Sequence, residues 1–275
     1  MNQKRILLGL TAMAVMGSAI TSANAAVIDD HFTGDLGANG WLLSTSGTAA
    51  GLTQTATQSG SLATLSMANT SGSSQTKGVG ILNSASPVTP ATDFAAGVTV
   101  TTTFGGGLDF GKQYRLGLTQ NTTANNSAND QVFIMLSENT NGVSLRVFSG
   151  NNLNGGTGVW LTGANVVGDA SVDISAGDEL RLTLTDSTVS ASFYDVENDQ
   201  EYVAHDNTSL GYDLAANWDT ANAYTQGYLF GSVPVDGSIS IDLDRTTTSV
   251  VPEPSSMALV GIGLLLTARR KTLQK

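Results

Sequence analysis

The chain has 275 residues, 12 of them basic and 23 acidic, a formal net charge of −11, and no cysteine. An acidic balance of this size disfavours nucleic acid and anionic membrane surfaces as partners. The missing thiols exclude disulfides, thiolate catalysis and cysteine metal sites.

Residues 1–25 read as a signal peptide. Lys4 and Arg5 give a positive start, residues 6–20 are apolar and uncharged, and Ala23-Asn24-Ala25 is a small-x-small cleavage site. Signal peptidase and the secretion machinery are the expected partners, and the mature chain is expected to begin at Ala26. The two ends, 1–25 and 251–275, hold six of the 12 basic residues and one acidic residue. Residues 26–250 therefore carry six cations against 22 carboxylates, a net −16. That balance suits solubility outside the cell, cation binding, or life among neutral or basic polymers.

Residues 26–250 are rich in Gly, Ser, Thr, Asn and Val and poor in Lys, Glu and Arg. This composition favours strands and turns over helices. Apolar and polar residues alternate at 62–67, 98–104, 113–119, 131–137, 143–148, 179–185, 188–194, 228–230 and 238–243. A period of two marks strands buried on one face. Hairpins are expected over 136–147, turning at 138–142, and over 182–193, turning at Asp186-Ser187. A third is expected over 193–203, turning at 197–200. Single helical turns are expected at 90–96 and 213–216, and the polar segments 44–60 and 121–129 read as long loops. No repeat of 20–50 residues occurs, which disfavours solenoids and propellers. Half-buried antiparallel strands without helices must pack sheet on sheet. The expected fold is all-β, a two-sheet antiparallel β-sandwich formed by residues 26–250 as one domain.

The order of features is similar to the concanavalin A-like jelly rolls of lectin and laminin G type. The residues that carry the likeness are Asp29-Asp30-His31-Phe32 with Gly40-Trp41, and Ser175-Ala176-Gly177-Asp178 leading into the 179–194 hairpin. The resemblance implies that the opening strand, around 27–32, pairs with the last strand, around 238–244. It also implies that the late hairpin belongs to the curved sheet.

Few motifs carry chemistry. Gly106 and Gly111-Lys112 imitate a phosphate loop, but Gln113 stands where Ser or Thr should hold the metal, and a strand follows instead of a helix. Two histidines, His31 and His205, cannot build a three-histidine zinc site, and no Gly-x-Ser-x-Gly elbow occurs. The sharpest acidic feature is Asp195-x-Glu197-x-Asp199-x-Glu201. It reads as a solvated turn. Asp195, Glu197 and Asp199 are also candidate Ca²⁺ ligands, although Gln200 replaces the glycine of a calcium loop. Glycoside hydrolysis needs two converging carboxylates, but the polar spacers Asn198 and Gln200 and the position at a hairpin turn give no such pair, and no catalytic residue is assigned; Glu197 and Glu201 are the carboxylates by which a hydrolase reading would be tested. For sugar rings, whose apolar faces stack on indole and phenol, the candidate platform is Trp218, Tyr224 and Tyr212. Trp41 and Trp160 sit beside apolar neighbours and read as core or edge packing.

The tail, 251–275, has three parts: Val251-Pro252-Glu253-Pro254, an apolar run at 257–268, and Arg269-Arg270-Lys271. The prolines fix φ and remove N–H donors, which leaves an extended segment that an enzyme cleft can grip. The apolar run spans about 18 Å as a helix, against a bilayer core of about 30 Å. Ser255, Ser256 and snorkelling arginines make a short transmembrane helix tolerable, with the basic end cytoplasmic. This tripartite tail resembles the PEP-CTERM sorting signal of exported bacterial proteins. The resemblance implies recognition by an exosortase, a membrane transpeptidase-like protease that cuts near Pro-Glu-Pro, in bacteria that make exopolysaccharide. The expected protein is held in the inner membrane before processing and is cell-surface or extracellular afterwards. It is expected to be non-catalytic and to associate with exopolysaccharide through a lectin-like jelly roll. The competing expectation is a matrix-remodelling glycoside hydrolase or lyase of the same fold.

Overall fold

Alternation of buried and exposed positions produces fifteen strands among the described residues. In chain order they are β1 (Ala25–Asp30), β2 (Trp41–Thr45), β3 (Leu52–Ser59), β4 (Leu62–Asn69), β5 (Gln75–Asn83), β6 (Val98–Phe104), β7 (Gln113–Thr119), β8 (Gln131–Asn139), β9 (Gly142–Gly150), β10 (Val159–Trp160), β11 (Glu179–Leu184), β12 (Thr188–Asp195), β13 (Gln200–Ser209), β14 (Tyr224–Val233) and β15 (Ser238–Val250). Two short helices interrupt them, α1 (Pro90–Ala96) and α2 (Leu214–Asn217). The computed structural model describes residues 25–109, 111–120, 130–139, 142–150, 153, 158–161 and 172–250. The expected signal peptide (apart from Ala25), the tail 251–275 and the expected loop 121–129 lie outside these residues. Among the described residues no helix is long and apolar enough to cross a membrane.

The strands form two antiparallel sheets. The eight-stranded sheet runs β13-β12-β11-β6-β15-β4-β3, with β1 also paired to β15. The seven-stranded sheet runs β10-β9-β8-β7-β14-β5-β2. Their inner faces bury one core, in which Leu65, Met67, Phe104, Leu180, Leu182 and Phe193 meet Ile81, Tyr114, Leu116, Ile134, Leu136 and Leu145. Phe104 and Tyr114 touch edge to face across the sheets, with ring centroids 5.3 Å apart. Residues 26–250 form one compact unit.

First and last strands pair as expected, and a surface ion pair reinforces them. Arg245 on β15 donates from Nε to Asp29 Oδ1 at 2.8 Å and from Nη2 to Oδ2 at 3.0 Å. The guanidinium holds the Asp29 carboxyl below its ordinary pKa. Both groups are well exposed, so the pair contributes at most about 1 kcal/mol.

The three expected hairpins form, as β8–β9, β11–β12 and β12–β13. The β11–β12 hairpin lies in the eight-stranded sheet. The reading of 44–60 as a loop is corrected, because β2 ends within it and β3 fills its second half. β3 is Leu-Thr-Gln-Thr-Ala-Thr-Gln-Ser, an edge strand with almost no apolar signal. Polar contacts hold it in place: Thr55 Oγ1 lies 2.7 Å from Ser66 Oγ, and Gln54 Nε2 and Gln58 Nε2 donate to the carbonyls of Gly78 and Phe32 at 2.7 Å.

Candidate functional site

The inner face of the seven-stranded sheet is core, and strict alternation sends the intervening residues to its outer face. One cross-strand row there passes through every strand of the sheet. It runs Leu42, Leu82, Gln226, Gly117, Phe133, Phe148, Trp160. The next row, two residues along, runs Ser44, Gly80, Tyr228, Arg115, Met135, Arg146. Flanking rows add Gly78, Phe230 and Gln113 on one side, and Tyr224, Thr119 and Gln131 on the other. The face is therefore an aromatic belt with amides and two arginines set into it.

The rings touch one another. Phe133 stacks on Phe148 at 5.0 Å, and Trp160 packs on Phe148 at 5.0 Å and edge-on to Phe133 at 5.9 Å. Trp160 stays 40% exposed. The Arg115 guanidinium lies over two rings, 4.4 Å from the Phe230 centroid and 5.2 Å from that of Phe133. Burial lowers its pKa, and the nearby Tyr228 partly offsets the shift. Glycines make room for the rings. A methyl group on Gly80 would lie 2.5 Å from the Tyr228 ring, and one on Gly78 would lie inside van der Waals contact with the same ring. Tyr228 thus lies flat across β5.

Polar atoms on this face are left without partners. Gln131 Oε1, Gln226 Nε2, Ser44 Oγ and Arg115 Nε are buried and make no hydrogen bond. Gln131 and Gln226 are only 3% and 2% exposed. A buried amide or hydroxyl without a partner costs free energy that a bound hydroxyl or carboxylate would recover.

The sequence-derived sites fall in different places. Tyr224 stands at the end of the belt. Tyr212 is half-buried away from it, and its phenol hydrogen-bonds the Ser149 hydroxyl. Trp218 belongs to the core: it is 6% exposed, packs edge-on to Phe94 of α1 at 5.5 Å, and donates from Nε1 to Asn222 O at 3.1 Å. The exposed indole is Trp160, which the sequence had placed in the core or at an edge. Of the acidic trio, Asp195 turns inward and accepts from Asn198 N and Nδ2 at 3.0 and 2.8 Å, while Asp199 accepts from the Tyr194 phenol at 2.5 Å. Glu197 is exposed on the turn between them. The three carboxylates therefore do not converge on one point. Among the described residues, no three Asp, Glu, His or Cys side chains stand close enough to hold a metal.

Glu201 accepts from the Ser192 hydroxyl at 2.8 Å and lies in β13 of the eight-stranded sheet, and Glu197 lies on the turn that leads into it; neither is on the aromatic belt. His31 is exposed beside Asp29. His205 is buried on β13, where burial lowers its pKa. Two polar clefts, of about 330 and 390 Å³, open elsewhere. One lies beside Trp41 and Leu43 and the other beside Asp29 and Asn83.

The belt residues Phe133, Phe148, Phe230, Arg115, Arg146, Gln131 and Gln226 carry no sequence motif. Their signal is partial. β8 reads Gln-Val-Phe-Ile-Met-Leu-Ser, apolar on both faces, which a strand with one solvated face has no reason to be.

Residues 250–271 match the family model for the PEP-CTERM protein-sorting motif. No curated protein matches the chain in sequence. Among solved structures, the chain is similar to the CBM2 module of the evolved Dit protein of Lactobacillus casei BL23 phage J-1. That likeness has a TM-score of 0.52 at 9% identity and covers 82% of this chain and 95% of the module. It is also similar to peanut lectin, with a TM-score of 0.50 at 12% identity, covering 82% of this chain and 97% of the lectin. At these identities the likeness speaks of fold alone: a jelly-roll β-sandwich of the lectin and carbohydrate-binding-module kind, followed by a PEP-CTERM sorting motif.

Proposed function

We propose that the exported domain is a non-catalytic carbohydrate-binding protein of the cell surface or extracellular matrix. It holds a polysaccharide across the outer face of the seven-stranded sheet. The observation that carries this reading is the cluster of touching rings Phe133, Phe148 and Trp160 at the end of the row that crosses all seven strands, with Trp160 and Phe148 open to solvent. Aromatic faces stack on the apolar faces of sugar rings. The exopolysaccharide of the producing cell is the proposed ligand. A hydrolase needs two converging carboxylates, and no strand position on this face is Asp or Glu.

The test is retention of the exported protein on the producer's own exopolysaccharide. Replacing Trp160 by Ala is expected to weaken retention several-fold, the effect of about 1 kcal/mol from one ring, with the thermal midpoint nearly unchanged because the ring is half open. Release of reducing ends, abolished by Glu197→Gln or Glu201→Gln, would favour the hydrolase reading instead.

Sorting depends on the tail. Handling by an exosortase predicts that Glu253→Ala, or replacement of Arg269, Arg270 and Lys271 by Ser, leaves the protein uncut or mislocalised in its native host. The first change removes the charge in the motif, and the second removes the cytoplasmic stop. Mass spectrometry of the mature C-terminus reads the outcome, and normal processing of both variants would exclude exosortase handling.

A further inference from the structure

Residues 26–250 contain four arginines and two lysines against 22 carboxylates. In such an excess of acid, each arginine is expected to find a carboxylate. Arg181 does, 3.3 Å from Glu179 and 3.8 Å from Glu201, and Arg245 pairs with Asp29. Arg115 and Arg146 do not. Neither forms an ion pair among the described residues, and both lie on the outer face of the seven-stranded sheet. They occupy one row on either side of Met135, which is paired to Arg115 on β7 and to Arg146 on β9. Two strand spacings put them about 10 Å apart, the scale of a disaccharide.

The charge pattern of this face is the reverse of the body's. Its strand positions carry two arginines and no carboxylate. Phe133 and Phe230 hold the Arg115 guanidinium flat. Arg115 gives one hydrogen bond, from Nη2 to Gln113 Oε1 at 3.1 Å, and its Nε is buried without an acceptor. Arg146 is exposed, with its guanidinium 6.0 Å from the Trp160 ring. A face built only for neutral sugars would gain nothing from two unpaired guanidinium groups, one of them partly desolvated. Guanidinium is instead the group that receives carboxylates through charge-assisted hydrogen bonds.

We propose that this face takes an acidic polysaccharide and seats the carboxylates of its uronic acid units on Arg115 and Arg146. The proposal rests on the glycan-binding reading above. Sugar rings would lie beside the two arginines against Trp160, Phe148 and Phe230, the rings of this face that keep access to solvent. The net −16 of the surrounding body would then repel the polyanion everywhere but here, which selects the register of binding.

Affinity electrophoresis of the exported protein in gels containing polygalacturonate, its methyl ester, or dextran separates the possibilities. The free acid is expected to retard the protein at least tenfold more strongly than the methyl ester, which has the same backbone without the charge. Added salt should weaken that retardation. Arg146→Gln is the informative variant because the side chain is exposed and its loss leaves the fold intact. It should lower retention by the free acid about tenfold and leave retention by the ester and by dextran unchanged, while Arg146→Lys keeps part of the effect. Equal retention by the acid and its ester, or an Arg146→Gln variant that binds the acid normally, overturns the acidic preference and leaves the carbohydrate reading standing. Failure to be retarded by any of the three, nor by the producer's exopolysaccharide, overturns both.

Discussion

Replacing Trp218 by Ala is expected to cost the domain about 3–5 kcal/mol, the usual loss when a large aromatic is cut out of a core. For a domain of this size that lowers the thermal midpoint by about 10 °C. The indole is nearly closed to solvent and packs edge-on against Phe94 of α1. Its Nε1 donates to Asn222 O, which ties the segment after α2 to the approach of β14. Removing it empties a cavity beside Phe94 and takes one of two donors from the Asn222 carbonyl, which keeps the Thr220 hydroxyl at 2.7 Å. Trp218→Phe keeps most of the contact area and loses only the hydrogen bond, so a cost of about 1–2 kcal/mol is expected. Thermal or denaturant unfolding of the two variants checks this order. A loss below 1 kcal/mol for Trp218→Ala would mean that the ring is not in the core. The contrast with Trp160→Ala is the useful one: one tryptophan is expected to change stability, the other retention of glycan.

That contrast marks where reading the sequence succeeded and where it failed. The sandwich was legible because period-two alternation is a property of single strands. The inner halves of β4, β6, β7, β11 and β12 announce themselves in short windows. The pairing of β1 with β15 was reached through a family likeness and not from local pattern, since strands more than 200 positions apart share no window. β3 was missed because Thr and Gln at an edge strand look like loop. β5 was missed because Gly78 and Gly80 interrupt its alternation, whereas here they are the floor under a tyrosine ring. The aromatic belt was hidden for a deeper reason. It is assembled one residue per strand, from β2, β5, β14, β7, β8, β9 and β10, so no local spacing holds it. Trp218 was misplaced because exposure was inferred from neighbours in sequence: it stands among Asn and Asp yet packs against Phe94 of α1, whereas Trp41 in the core and Trp160 on an edge strand lie where their apolar neighbours suggested. The sorting tail has the opposite character: its chemistry is local, and its motif was readable from residue order alone.

Gly117→Ala is expected to cost on the order of 3 kcal/mol, more than a surface position of a sheet would normally lose. The position faces outward, so crowding against the core is not the cause. A methyl group there would stand inside van der Waals contact with the Val132 carbonyl oxygen and 2.6 Å from Phe133 Cα, both backbone atoms of β8. Backbone cannot rotate away as a side chain can. Relief requires β7 and β8 to separate or shift, and that ladder runs unbroken from Gln113 opposite Ser137 to Thr119 opposite Gln131. Gly72→Ala is the control, because no atom lies within 4 Å of an added methyl there. It is expected to be neutral or slightly stabilising through the unfolded chain. Should Gly117→Ala unfold no more easily than Gly72→Ala, the close approach of β7 and β8 is wrong. The same variant also reports on function, since Gly117 is the one position in the seven-strand row where no side chain rises between Gln226 and Phe133. Gly117 and its row neighbours Gln226 and Phe133 are closed to solvent, so a bound ligand would feel the change through the displacement of β7 and β8. Any Gly117→Ala protein that remains folded at low temperature should therefore lose glycan retention more than Trp160→Ala does. It would shift two strands of the track at once, whereas Trp160→Ala removes one ring from the track's end.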